Sequence, residues 1–126
     1  MNAIYTITGK VIEGKKRGRL LGFPTINVKL DQEVESGIYA SYVYVDDERL
    51  LAATFIGEAK TFGEEDYKLE SYILDFDRDI YGETVRVELY KKLRDNEKYS
   101  NSGDLIAKIK EDVQQTIYFF TSSGSL

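Results

Sequence analysis

The chain has 126 residues, 42% of them apolar, and a formal net charge of −5, which suits one globular domain with a sizeable buried core. Cysteine and histidine are both absent, which excludes disulfides, thiolate nucleophiles and cysteine-ligated metal centres and leaves acid-base chemistry to carboxylate, lysine or tyrosine. The acidic balance argues against sequence-independent binding to nucleic acid or anionic membrane, and no apolar run approaches the ~20 residues needed to cross a bilayer.

With no charged-then-apolar leader at the N-terminus, a cytoplasmic protein is expected. From Ile4 to Ile12 the residues are mostly β-branched or aromatic, so a strand is predicted, with a bulge or bend at Gly9. The segment from Gly14 to Asn27 follows. Gly14, Gly18 and Gly22 let a ligand approach the main chain, and their N–H groups can converge on an anion. Lys15, Lys16, Arg17 and Arg19 make a local basic mouth in an acidic protein. Pro24 suits the first residue of a strand, on which Thr25 and Asn27 share a face while Ile26 and Val28 take the other. Two neutral oxygens beside a phosphate cradle would suit Mg²⁺. The same segment reads equally as a glycine-rich hairpin with solvated charges.

Residues 31–36 form a polar connection, and Gly37 opens a strand to Val45 whose tyrosines fall on both faces. Asp46 to Glu48 make a turn into a strand from Arg49 to Gly57. Residues 58–68 are charged and lack apolar periodicity, so a surface loop and candidate lid is expected. Strand character returns from Leu69 to Phe76, residues 77–82 turn, and Thr84 to Lys91 alternates with Val85, Val87 and Leu89 on the core face.

After a polar connection over 94–101, Ser102 reads as the N-cap of a helix, with Asp104 in its first turn and Ile106, Ile109, Val113 and Ile117 as its buried stripe. Phe119 and Phe120 finish that contact at the start of a terminal stretch, 119–126, expected to fray. Six strands in succession with one helix predict a mainly β protein: a closed, six-stranded antiparallel barrel with a C-terminal α-helix, forming a single domain over 1–126.

Glu70 sits within a strand beside Leu69, with Tyr72, Leu74 and Phe76 on its own face. A carboxylate there is costly unless paired or used. It reads either as a rim residue reaching water or an N-terminal cation, or as a catalytic group.

Taken together, Gly-Lys-Val-Ile-Glu-Gly, Arg-Gly-Arg-Leu-Leu-Gly-Phe-Pro-Thr-Ile-Asn, Gly-Ile-Tyr, Leu-Glu-Ser-Tyr-Ile-Leu-Asp-Phe, Asp-Ile-Tyr-Gly and Leu-Arg-Asp-Asn-Glu-Lys-Tyr follow one another as in riboflavin kinases. The chain resembles the riboflavin kinase domain that forms the C-terminal half of many bacterial bifunctional FAD synthetases, over nearly everything from Tyr5 to Asp112. The resemblance implies a six-stranded barrel and transfer of the γ-phosphate of ATP to the 5′-hydroxyl of riboflavin, giving FMN. By matching position it implies that Thr25 and Asn27 bind Mg²⁺ and the nucleotide phosphates, and that Gly14, Lys15, Arg19 and Gly22 hold the nucleotide. Glu70 would be the general base, Arg94 would lie near the flavin or the transferring phosphate, and Tyr99 and Leu105 would be on the flavin side.

Two places depart from the family pattern. Phe55-Ile-Gly57 and Lys60-Thr-Phe62 stand where the family often has Asn-Ile-Gly and a proline before Thr-Phe, and Tyr72 stands where it usually has histidine. A monomer that binds riboflavin and ATP, without nucleic acid or membrane partners, is expected, and this chain alone would stop at FMN. The alternative is a catalytically degenerate flavin- or nucleotide-binding barrel with a regulatory role.

Overall fold

The computed structural model describes residues 1–12, 22–61 and 64–122. Their strands are β1 (Tyr5–Ile12), β2 (Ile26–Lys29), β3 (Gly37–Val45), β4 (Glu48–Thr61), β5 (Glu64–Ile73) and β6 (Thr84–Arg94), followed by helix α1 (Ser102–Ser122). All pairings are antiparallel, and the order β1-β2-β5-β4-β3-β6 closes on itself as a barrel. Closure leaves no unpaired edge, as expected of strands this apolar.

The period of two along each strand decides which side chains fill the barrel. Ile7 and Val11, Val28, Tyr39 and Val43, Ile56, Leu69 and Ile73, and Val85, Val87 and Leu89 all belong to one buried cluster. Gly9 lies on that inner face between Ile7 and Val11. A Cβ there would stand 2.8 Å from Val28 Cγ1, so glycine is required by close strand approach. The predicted bulge is not found, because β1 pairs with β6 without a register shift from Tyr5 to Lys10. The shifts fall instead in the β3–β6 pairing, at Ile38/Tyr39 and Ala40/Ser41.

Three inward hydroxyls interrupt the apolar interior. Ser41 Oγ donates to Ala52 O at 2.8 Å and lies 2.6 Å from Thr54 Oγ1, which in turn bonds Ser71 Oγ. Since Ser41 has only one proton, Thr54 donates to Ser41 and Ser71 donates to Thr54. The chain satisfies buried groups that would otherwise be costly.

Three expectations are corrected. The surface loop over 58–68 is instead the continuation of a hairpin, with Glu58 paired to Tyr67, Ala59 to Asp66, Lys60 to Glu65 and Thr61 to Glu64. The cap of α1 is Asn101, not Ser102: its Oδ1 accepts the Asp104 N–H at 2.9 Å while its Nδ2 donates to Asp104 Oδ2 at 3.1 Å.

The third correction concerns the buried stripe of α1 and its end. The fully buried positions are Asp112, Thr116 and Phe120, spaced by four; Ile106, Ile109 and Val113 are half-buried as expected, whereas Ile117 is 41% exposed. The helix runs to Ser122 and Phe120 is wholly buried, so fraying does not begin at residue 119. Phe120 packs on the outward-facing Tyr42 and Tyr90, with ring centroids 4.3 and 5.6 Å away. Among the described residues, no helix is long and apolar enough to cross a membrane.

Candidate functional site

The outer face of the barrel carries one row of paired residues that contains three of the candidates, Asn27, Glu70 and Arg94. Ile12 pairs with Asn27, Asn27 with Glu70, Glu70 with Phe55, Phe55 with Ile38, and Ile38 with Arg94. Directly paired residues on antiparallel strands have Cβ atoms about 5 Å apart, so Asn27 and Glu70 are immediate neighbours. The pairing is forced from inside, because Val28 and Leu69, their chain neighbours, pair with each other in the core.

Asn27 is only 5% exposed although it points outward, and its Oδ1 is buried with no hydrogen-bond partner among the described residues. Such an atom costs about 1–3 kcal/mol unless a ligand or ion satisfies it. The carboxylate of Glu70 lies 2.7 Å from Lys68 Nζ, with the two side chains 29% and 15% exposed. Lys68 follows from the same alternation that places Glu70, and its ammonium balances the carboxylate.

Thr25 directly precedes β2, and its half-buried position is reached through a turn at Gly22, whose φ of 87° is in the left-handed region that favours glycine. Between them Phe23 meets the ring of Tyr72 edge-on, with centroids 5.3 Å apart and planes at 74°. Beside Thr25 opens a cleft of about 300 Å³, bounded by Val11, Pro24, Ile26, Phe76 and Ile80 and rimmed by charged residues 77–79. Gly14, Lys15 and Arg19 lie outside the described residues.

Arg94 ends the row three strands away from Glu70, roughly 14 Å along the sheet. Its guanidinium is engaged elsewhere: Nε donates to Asp112 Oδ1 and Nη2 to Oδ2, both at 2.8 Å, and Nη1 donates to Asp95 O at 3.1 Å. Burial alone would lower the Arg94 pKa, but the bonds to Asp112 outweigh it and the net shift is upward. The structure therefore does not bring Arg94 together with Asn27 and Glu70; it ties β6 to the helix.

Tyr99 stands near that pair, with the Arg94 guanidinium carbon 6.0 Å from its ring centre, and its hydroxyl is buried beside that arginine. Burial pushes its phenol up despite the opposing arginine. Leu105 is half-buried in the first turns of α1 and donates its N–H to Asn101 O at 3.3 Å. Asn96, which was not anticipated, reaches back to donate to Ile56 O at 3.1 Å and so lays the 95–101 segment against β4 next to Phe55.

A sequence model described as "Flavokinase: Riboflavin kinase" matches residues 1–120. The bifunctional riboflavin kinase/FMN adenylyltransferase of Listeria monocytogenes is 39% identical over 92% of this chain and 38% of its own length. A protein of Bacillus subtilis named RNA-binding riboflavin kinase RibR is 36% identical over 85% of this chain and 47% of its own length. Among solved structures, a riboflavin kinase from Trypanosoma brucei superposes with a TM-score of 0.67 at 26% identity, covering 92% of this chain and 79% of that one. The chain spans less than half the length of the curated relatives it matches.

Proposed function

Because the chain belongs to the riboflavin kinase family, we propose that it transfers the γ-phosphate of ATP to the 5′-hydroxyl of riboflavin, releasing FMN and ADP. The observation that carries this reading is the adjacency of Asn27 and Glu70, which sets an unsatisfied oxygen beside a carboxylate. Phosphoryl transfer asks a protein chiefly to place donor and acceptor and to balance charge, and a row with a cation-seeking oxygen at one position and a base at the next supports that.

Glu70 would accept the proton of the attacking hydroxyl, with Lys68 keeping the carboxylate oriented and compensated. The residues present fit a divalent ion. Mg²⁺ takes hard oxygen ligands and keeps waters and substrate phosphates in its shell. Asn27 Oδ1 and the Thr25 hydroxyl would supply the protein's share, and when bound the ion would offset the charge of the phosphates. The cleft beside Thr25 supports placing the nucleotide at that end of the row, and Asn96 and Tyr99 support placing the flavin at the other.

The ligands on this reading are small molecules. One relative is named as RNA-binding, but a net charge of −5 argues against sequence-independent binding of nucleic acid by this chain. The test is to incubate the protein with riboflavin, ATP and Mg²⁺ and to separate the flavins by chromatography. FMN should accumulate with ADP in equal amounts, and no FMN with any common nucleotide would overturn the assignment.

A further inference from the structure

On the riboflavin kinase reading of the site, we propose that Tyr72 is a positioning residue for the metal-binding pair, holding Thr25 in place through Phe23. Among the described residues, no β2–β5 ladder bond fixes the lead-in to β2. Pro24 has no N–H to donate to a ladder, and the backbone pairing of β2 with β5 begins only at Ile26, opposite Ser71. Upstream, Gly22 has a left-handed φ of 87°, and a Cβ added there would meet nothing within 4 Å. Residues 23–25 thus run from the turn at Gly22 to the first paired residue without a ladder hydrogen bond to β5.

The contact that ties this segment to β5 is the edge-to-face pair of Phe23 and Tyr72, both half-buried. Its place in the register matters. Ile26 pairs with Ser71 and Asn27 with Glu70, so the same register carried one residue further sets Thr25 level with Tyr72. Tyr72 is also two residues from Glu70 and on the same outer face. One ring therefore stands beside the metal pair and next to the base, bearing on the segment that delivers the Thr25 hydroxyl. Ala53, its partner on β4, is small and leaves the aromatic contact to Phe23.

Loss of the contact should loosen Thr25 without touching riboflavin or the base. In Tyr72→Ala, the KM for MgATP should rise about three- to tenfold, the range expected for losing one aromatic pair, while the KM for riboflavin holds. Calorimetric titration with MgADP reads the same loss without turnover. Tyr72→Phe keeps the ring pair and should bind MgADP as wild type does. Phe23→Ala should match Tyr72→Ala, and the double variant should be no weaker than either single one, because both remove one interaction.

Additive losses, an unchanged MgADP affinity in both alanine variants, or a loss in Tyr72→Phe equal to that in Tyr72→Ala would overturn the proposal. If Tyr72→Ala does not fold, Phe23→Ala and Tyr72→Phe still decide it. Wild type that binds MgADP but forms no FMN would contradict the kinase reading while leaving the positioning role to be judged on the titrations.

Discussion

On the flank where β3 and β6 meet the helix, the polar groups are closed off by one another. Arg94 is held by both oxygens of Asp112, and Glu88 accepts from Tyr44 and Tyr90 at 3.0 and 2.9 Å. On the flank where β2 meets β5, a buried oxygen of Asn27 has no hydrogen-bond partner among the described residues, beside a carboxylate paired with its near neighbour Lys68. Both flanks belong to one barrel and both carry residues that sequence alone marked as functional. The difference teaches that a charged residue in a family block is as apt to be a strut as a reagent, and that its partners decide which.

The comparison can be broken from the helix side first. Asp112→Ala leaves the Arg94 guanidinium without its carboxylate in a mostly buried position, and removal of one partner of a buried pair costs about 3–5 kcal/mol. Urea denaturation should show that loss, and a stability within about 1 kcal/mol of wild type would mean that the bridge is not a strut. A smaller effect is expected at the other flank. Asn27→Ala removes an oxygen that satisfies nothing among the described residues, so MgADP affinity should fall about tenfold or more while the urea midpoint moves little. A large stability loss with unchanged affinity would reverse the two roles.

The smallest effect concerns the tyrosines of the closed regions. Burial, reinforced by Tyr5 and Glu35, pushes the Tyr39 phenol up to about 12, and burial with the bond to Glu88 pushes Tyr90 up to about 12. A raised folded pKa means that the fold holds the proton more tightly than the unfolded chain. The stability it contributes is whole below about pH 10 and is lost as the pH rises toward 12. Unfolding midpoints should therefore fall over that window, and Tyr39→Phe should show a shallower fall.

The barrel was legible because runs such as Ile38 to Val45 are β-branched or aromatic almost throughout, and a flat sheet would have exposed them. The extension of β4 and β5 was not, because residues 58–61 and 64–68 pair through the backbone ladder and show no apolar alternation. The helix face misled for a related reason. Isoleucines at helical spacing drew the stripe, but Asp112 and Thr116 are buried because Arg94, far off in sequence, neutralises one and the hydroxyl of the other bonds Asp112 O at 2.9 Å.

In the site, Thr25, Asn27 and Glu70 were legible as residue types. Their convergence was not, since it depends on the register of β2 against β5, which the core pair Val28 and Leu69 sets. Lys68 was within reach of the sequence, two residues from Glu70 on a strand. The distance of Arg94 from Glu70 was not, as only the strand order β5-β4-β3-β6 reveals it.

If chemistry belongs to the β2–β5 flank, Glu70→Gln should abolish most of it. The glutamine keeps the shape of the side chain and removes its ability to take a proton. The turnover number for FMN formation should fall by about 10²–10⁴ with the thermal midpoint little changed. A variant that forms FMN at the wild-type rate would show that Glu70 is not the base and that the row it anchors is not the catalytic one.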